Sequence, residues 1–309
     1  MLSGMLCIYK EAGFTSNDVV AKLRGIVHMR KIGHTGTLDP MAEGVLPVCL
    51  GPATRLCDMI ADRDKVYECR LKLGVRTDTQ DMTGQVLSEA DPQAVMALTE
   101  DRIREAAASF VGDYDQVPPM YSALKVGGKK LYELARAGKT VERKPRRIRI
   151  HALEVLSVDL PYVRIRVACS KGTYIRTLCE DLGGKLGTGG AMDYLLRTRV
   201  GIFDLKDAIR LSEAEALMKE DPRLLEERII PIDAFFGDCP AAEAAPEAMR
   251  FLLNGNALKR SQLRFPGGER PAPGTRVRVY DREGSFYAVY EAGRDGRYTP
   301  VRMFLPADR

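Results

Sequence analysis

The chain contains no tryptophan, only three histidines, and no apolar run near the roughly 20 residues needed to span a bilayer. Its first residues, MLSGMLCIYKEAGF, carry no basic region ahead of the apolar ones and reach Lys10 and Glu11 early, which argues against a secretory signal. None of the seven cysteines (7, 49, 57, 69, 169, 179 and 239) form Cys-x-x-Cys, and most lie in apolar surroundings. Buried free thiols in a reducing compartment fit that usage. His28, His34 and His151 stand at no metal-ligand spacing from cysteines or carboxylates, so no metal site is expected. The glycine-rich GGKLGTGG at 183–190 satisfies neither the phosphate-loop nor the dinucleotide fingerprint and reads as a turn-rich loop. These absences predict a soluble, cytoplasmic protein with no membrane contact and no cofactor.

Composition is otherwise ordinary: 309 residues, 45% hydrophobic and 29% charged, enough chain for about two domains. The net charge of +5 says little as a sum, but its distribution is uneven. Between Lys125 and Arg149 ten Lys or Arg face only Glu133 and Glu142, a local charge of +8, so the remainder sums to −3. A charge run alone is most often a solvated face. A focused basic segment on a near-neutral body is also what a polyanion such as nucleic acid selects.

A short apolar strand, Leu6 to Tyr9, leads to GFTSNDVVAKLRGIVH, where Thr15 or Ser16 can cap a helix. Val19, Val20, Leu23, Ile26 and Val27 give that helix one apolar stripe. VYECRLKL (66–73) and VRIRVAC (163–169) alternate as half-buried strands do. The turn SKGT then opens a helix with Ile175, Leu178, Leu182 and Leu186 at helical spacing. Strands and helices interleave without a βαβ period, which predicts an α+β fold with a largely antiparallel sheet. GDCPAAEAAPEAM (237–249) reads as a linker, and VRVY–DREGS–FYAVY beyond it as a hairpin in a small β-rich second domain. The expected division is 1–240 and 246–309.

The richest stretch for chemistry is GHTGTLDPMAEGVLPVCLG (33–51). Pro40 restricts Asp39 to extended backbone, and the glycines let the chain turn tightly and a ligand approach. A carboxylate held so suits catalysis, although Asp-Pro alone is an ordinary turn starter. Arg176 falls in the first helical turn after SKGT, where the helix dipole disfavours a cation. It is a phosphate contact, a surface charge, or the partner of a buried carboxylate. Tyr67, on the apolar face of its strand, is by default a core tyrosine whose ring could also stack on a base.

With these residues in hand, the chain resembles the bacterial TruB-type tRNA pseudouridine synthases. GFTSNDVV, KIGHTGTLDPMAEGVLPVCLGPATRL, KVYE with GVRTDTQDMTG, QVPPMYSALKVGGKKLYELARAG and CSKGTYIRTLCEDLG carry the resemblance, in the family's order. They cover most of residues 5–200, and the last 60 or so residues resemble the family's PUA-like RNA-binding domain. The resemblance implies the pseudouridine-synthase fold, a mixed sheet flanked by helices. It also implies conversion of uridine 55 in the tRNA T-loop to pseudouridine, without cofactor, by a monomer needing no protein partner. By the same resemblance Asp39 is catalytic and Arg176 pairs with it, while Tyr67 stacks on the uracil. Leu196, or its neighbour Leu195, packs in the pocket, His34 helps hold the T-loop open, and Tyr174 joins the substrate-binding set. Lys125, Lys129, Lys130, Arg146 and Arg147 are then the candidates for RNA backbone contacts. One departure stands out: Glu11 follows Lys10 where the family usually has Lys-Pro. Two other readings compete, a non-catalytic tRNA-binding or tRNA-folding protein on the same scaffold and a metal-dependent hydrolase using Asp78 and Asp81.

Overall fold

In the computed structural model, which describes residues 2–268 and 271–305, the alternating segments become one twisted sheet. In chain order its surroundings are β1 (Gly4–Lys10), α1 (Ser16–Ile26), β2 (Ile32–His34), β3 (Glu43–Leu50), α2 (Cys57–Ala61) and β4 (Lys65–Leu73). A small hairpin, β5 (Val75–Thr77) and β6 (Val86–Glu89), follows, then α3 (Pro92–Met96), α4 (Glu100–Ala108) and β7 (Gly112–Gln116). The basic segment forms a second hairpin, β8 (Lys125–Val126) and β9 (Lys129–Lys130), and α5 (Leu131–Arg136). The long strands β10 (Arg146–Asp159) and β11 (Tyr162–Cys169), α6 (Ile175–Leu186), β12 (Gly190–Val200) and β13 (Phe203–Asp204) complete the layer, with α7 (Leu211–Glu220) and α8 (Pro222–Glu226) beyond. Among the described residues the strands run in the order β1-β3-β12-β4-β11-β10-β7, with β2 on β3 and β13 on β12. Every pairing among them is antiparallel except β3 with β12, so the sheet is mixed and largely antiparallel, as expected.

The periodicities map onto burial. On β4, Tyr67, Cys69, Leu71 and Leu73 turn inward and join Ile175, Leu178, Leu182 and Leu186 of α6 in one core. Val19, Val20, Leu23 and Val27 of α1 pack with Leu6, Ile8, Leu46 and Val48 of the edge strands in another. The cap of α1 is Thr15, in a capping box with Asp18. Ser16 is thereby free for a different task, described below.

Two expectations are overturned. The segment 237–249 is no linker: β14 (Ala241–Ala244) lies inside a second sheet, parallel to β17 (Arg276–Tyr280) and antiparallel to β16 (Leu263–Arg264). That sheet also holds β15 (Leu258–Lys259), β18 (Phe286–Ala292) and β19 (Arg297–Met303), with α9 (Met249–Leu253) packed beside it. Alanine is a poor strand former, so a strand written AAEA in Pro-flanked sequence carries no strand signal. The hairpin expected at 277–290 is β17–β18. Residues 269, 270 and 306–309 of the expected second domain lie outside the described residues. Phe286 and Phe304 of this layer stack with Phe236, fastening it to the first sheet.

The second correction concerns 183–190. Gly183 to Leu186 are the last turn of α6, Gly187 is its left-handed cap, and Gly190 already belongs to β12. Gly183 is there for contact, whereas Gly187 and Gly189, both with positive φ, make the turn. A Cβ on Gly183 would sit 2.2 Å from the Gly189 carbonyl carbon. In an open helix interior Gly→Ala gains up to about 1 kcal/mol, but here the backbone contact reverses the sign. Gly183→Ala is expected to destabilise the protein by about 1–3 kcal/mol, read as a melting temperature several degrees lower. An equal or higher melting temperature would contradict the packing described.

Candidate functional site

The loop from Thr35 to Ala42 is pinned from three sides. Leu38 N–H donates to Ser16 Oγ at 2.9 Å, the task left open to Ser16 by Thr15 taking the cap. Gly13 N–H donates to the Pro40 carbonyl at 2.9 Å, and Ala42 N–H closes a turn on the Asp39 carbonyl at 3.1 Å. Beneath the turn lies Lys10, fully buried, whose Nζ donates to the carbonyls of Pro40 at 2.9 Å, Ala42 at 2.5 Å and Glu11 at 3.2 Å. Burial pushes the Lys10 ammonium down to about 8, against the pull of Asp39 and Glu43. The departure at Glu11 is accommodated by an ion pair with Arg210, whose guanidinium also covers the Tyr9 ring at 4.6 Å.

From this turn the Asp39 carboxylate meets Arg176. Nε lies 2.8 Å from Oδ2 and Nη2 donates to Oδ1 at 3.2 Å, a two-point contact. The remaining guanidinium donors go to the carbonyls of Thr79 at 3.1 Å and Tyr121 at 2.9 Å. Asp81 Oδ2 stands 3.9 Å from Nε. The expectation of a buried carboxylate needs correcting: the arginine side chain is 5% exposed, the Asp39 side chain 40%. The cation is sealed in the fold, and the anion opens onto solvent.

Tyr67 is buried on β4 in register with Arg197 of β12. Burial raises the phenol's pKa, while Arg197 opposes the rise. Of the two pocket leucines, register favours the one named second. Leu195 lies opposite Cys69 and is buried in the core that holds Tyr67. Leu196 lies opposite Glu68, on the other side of the sheet, so it is not brought to Tyr67. The sequence left two adjacent leucines open because a bulge in β12 hides which parity faces inward. His34 is half-buried in β2, and its Nδ1 accepts the Gly36 N–H at 3.3 Å. Tyr174 precedes α6, its backbone N–H and carbonyl clasped by the Gln116 amide at 2.8 and 3.0 Å.

Of the basic candidates, Lys125, Lys129 and Lys130 sit on the exposed β8–β9 hairpin, Lys130 with its Nζ 3.3 Å from the Tyr132 hydroxyl. Arg146 lies opposite Gln116 on the side of β10 that faces α6. Arg147 has the opposite parity and forms an exposed ion pair with Asp115 at 3.3 Å. Of the two acids considered for a hydrolase, Asp78 accepts the Gln85 N–H, and Asp81 accepts the Thr79 and Thr83 hydroxyls. Among the described residues no group of three His, Cys, Asp or Glu is placed to hold a metal ion. Sequence reasoning missed Lys10, Arg197 and the neighbourhood of Asp81 to Arg176; a Lys or Arg inside an otherwise apolar strand was the available signal.

A family model described as TruB family pseudouridylate synthase, N-terminal domain, matches residues 24–175. One described as tRNA pseudouridylate synthase B C-terminal domain matches residues 176–236. The tRNA pseudouridine synthase B of Lachnoclostridium phytofermentans is 49% identical, over 98% of this chain and 100% of that protein. That of Burkholderia pseudomallei is 44% identical, over 98% and 97%. Among solved structures, a Cbf5–Nop10–Gar1 complex contains a chain 26% identical, with a TM-score of 0.73 over 99% of this chain and 86% of that one. An H/ACA RNP bound to a substrate RNA shows the same fold at 24% identity and a TM-score of 0.72, over 99% and 86%.

Burial, with the Arg197 charge added, lowers the pKa of His34 below its ordinary 6.5. The unfolded chain therefore takes up this proton first on acidification, so this group withdraws stability as pH falls through 6.5. An NMR titration of the His34 ring, assigned with His34→Asn, is expected to give a midpoint below 6.5. A midpoint above it would contradict the burial.

Proposed function

The chain belongs to the TruB family of pseudouridylate synthases and isomerises uridine in tRNA to pseudouridine; from that premise we propose that its target is uridine 55 of the T-loop and that Asp39 is its catalytic residue. The observation that carries the assignment is the Asp39–Arg176 pair, a solvent-open carboxylate gripped at two points by a buried guanidinium. The reaction breaks the N1–C1′ bond, turns the uracil and joins C5 to C1′; the C5 proton leaves and N1 gains one, so atoms balance. A carboxylate can serve by attacking C1′, by removing the C2′ proton, or by attacking uracil C6. All three need an oxygen that neither rotates away nor is shielded from the ribose, and the pinned turn with its open carboxylate supplies that.

The uridine is stacked inside a folded loop and is extruded at a cost of a few kcal/mol. Tyr67 offers a ring for the extruded base, and Leu195 the apolar wall beside it. His34 and Tyr174 line the approach. The hairpin lysines 125, 129 and 130, with Arg146, hold RNA phosphates, which fixes register rather than sequence. The domain division is taken as a catalytic part through residue 240 and a PUA-like part from β14 onward. The chain acts as a monomer, in the cytoplasm, on tRNA. Among the described residues no helix is long and apolar enough to cross a membrane.

Asp39→Asn is expected to lower product formation by more than about a thousandfold while tRNA affinity stays within threefold, read by pseudouridine mapping and filter binding on unmodified tRNA. Normal turnover by that variant removes Asp39 from the mechanism. Neutralising Lys125, Lys129 and Lys130 together is expected to weaken binding and to reduce the slope of log affinity against log salt by about one for each phosphate no longer neutralised. An unchanged slope would put the RNA elsewhere.

A further inference from the structure

Arg197 is 2% exposed and among the largest fully buried side chains of the molecule. A buried guanidinium ordinarily has a carboxylate partner, because desolvating a lone cation is costly. Among the described residues no carboxylate pairs with Arg197. Its Nε donates to the Val45 carbonyl at 2.7 Å and its Nη2 to the Gly36 carbonyl at 3.3 Å, and its register partner on β4 is Tyr67.

Those three partners belong to three separate pieces of the site. Gly36 is in the loop that carries Asp39, Val45 is in β3 where that loop re-enters the sheet, and Tyr67 is on β4. The loop backbone also passes close to this position. A Cβ on Gly44 would come within 2.3 Å of the Arg197 carbonyl oxygen, and one on Gly36 would stand 3.8 Å from its Nη1. Gly36 and Gly44 both have positive φ, at +155° and +101°. An apolar side chain of similar length could fill the volume but could tie none of these pieces together.

We infer that Arg197 is a positioning residue for the isomerisation, tying the strand that pairs with Tyr67 to the two ends of the Asp39 loop so that base platform and carboxylate keep one fixed spacing. The inference rests on the reading of Asp39 and Tyr67 given above. A misplacement of about 1 Å at a reacting centre costs about a hundredfold in rate, which sets the expected effect. A lysine at 197 keeps the charge but, as a point donor, does not span both carbonyls as the guanidinium does, so it restores the function only in part.

The test is single-turnover isomerisation of unmodified tRNA by Arg197→Lys and Arg197→Met, with tRNA affinity and thermal melting measured on the same preparations. Both variants are expected to bind tRNA within threefold of the parent and to melt within about 5 °C of it. The expected rates fall about tenfold for the lysine variant and about a hundredfold for the methionine variant. A lysine variant at the parental rate would overturn the inference. So would a rate that falls only in step with affinity and melting, since that describes a residue serving the fold alone. If the methionine variant fails to fold, the lysine variant still decides, through its rate against its affinity. Asp39→Asn run in parallel keeps the two claims apart. An active Asp39→Asn sinks the underlying reading, whereas an inactive one beside a fully active Arg197→Lys sinks this inference alone.

Discussion

The site depends on one asymmetric ion pair. Arg176 is enclosed, with its donors committed to Asp39, the Thr79 carbonyl and the Tyr121 carbonyl, whereas Asp39 stands open to solvent. The asymmetry has a physical consequence. A pair buried on both sides would leave no oxygen for a substrate, and a pair exposed on both sides would be loose and weak. Here the enclosed partner holds the open one. Arg176 is itself set at the start of α6, where the helix dipole repels it, and the Asp39 carboxylate beside it offsets that repulsion.

The scaffold serves this pair by bringing distant segments together. Among the described residues β3 and β12 form the first sheet's one parallel pairing, between residues about 150 apart in sequence, and at that junction the Asp39 loop re-enters beside Arg197. β4 delivers Tyr67 from the neighbouring strand, and α6, wedged against β12 through Gly183, delivers Arg176. Lys10 and Ser16 hold the turn from below by bonding its backbone, so the loop's shape does not rest on the reacting side chain. The basic hairpin stands apart from this core, as a surface that grips a polyanion can.

Much of this was legible in the sequence where periodicity is strong. The strands at 66–73 and 163–169, the helix after SKGT and the β17–β18 hairpin follow from alternation and spacing. Asp39 and Arg176 were named from a proline, a glycine-rich loop and a misplaced cation, and the family resemblance joined them. What sequence did not carry has local physical causes. AAEA forms a strand because neighbours on both sides supply hydrogen bonds, not because alanine favours it. GGKL is helical because α6 needs a side with no Cβ where β12 begins. The bulge in β12 hid which of Leu195 and Leu196 faces Tyr67, and Arg147 was grouped with Arg146 because a charge count ignores strand parity. The buried Arg197 was overlooked because a surface reading of arginine is nearly always right.

The central claim, that a carboxylate fixed by Arg176 meets an extruded uridine above Tyr67, is tested most directly by a crystal structure of Asp39→Asn bound to an unmodified T-arm stem-loop. The account predicts the target uridine out of its stack, its ring on Tyr67 and Leu195, and its C1′ within about 3.5 Å of the residue-39 side chain, the distance of a near-attack geometry. A stem-loop bound with that uridine still stacked, or with its base lodged away from residues 39 and 67, would contradict it.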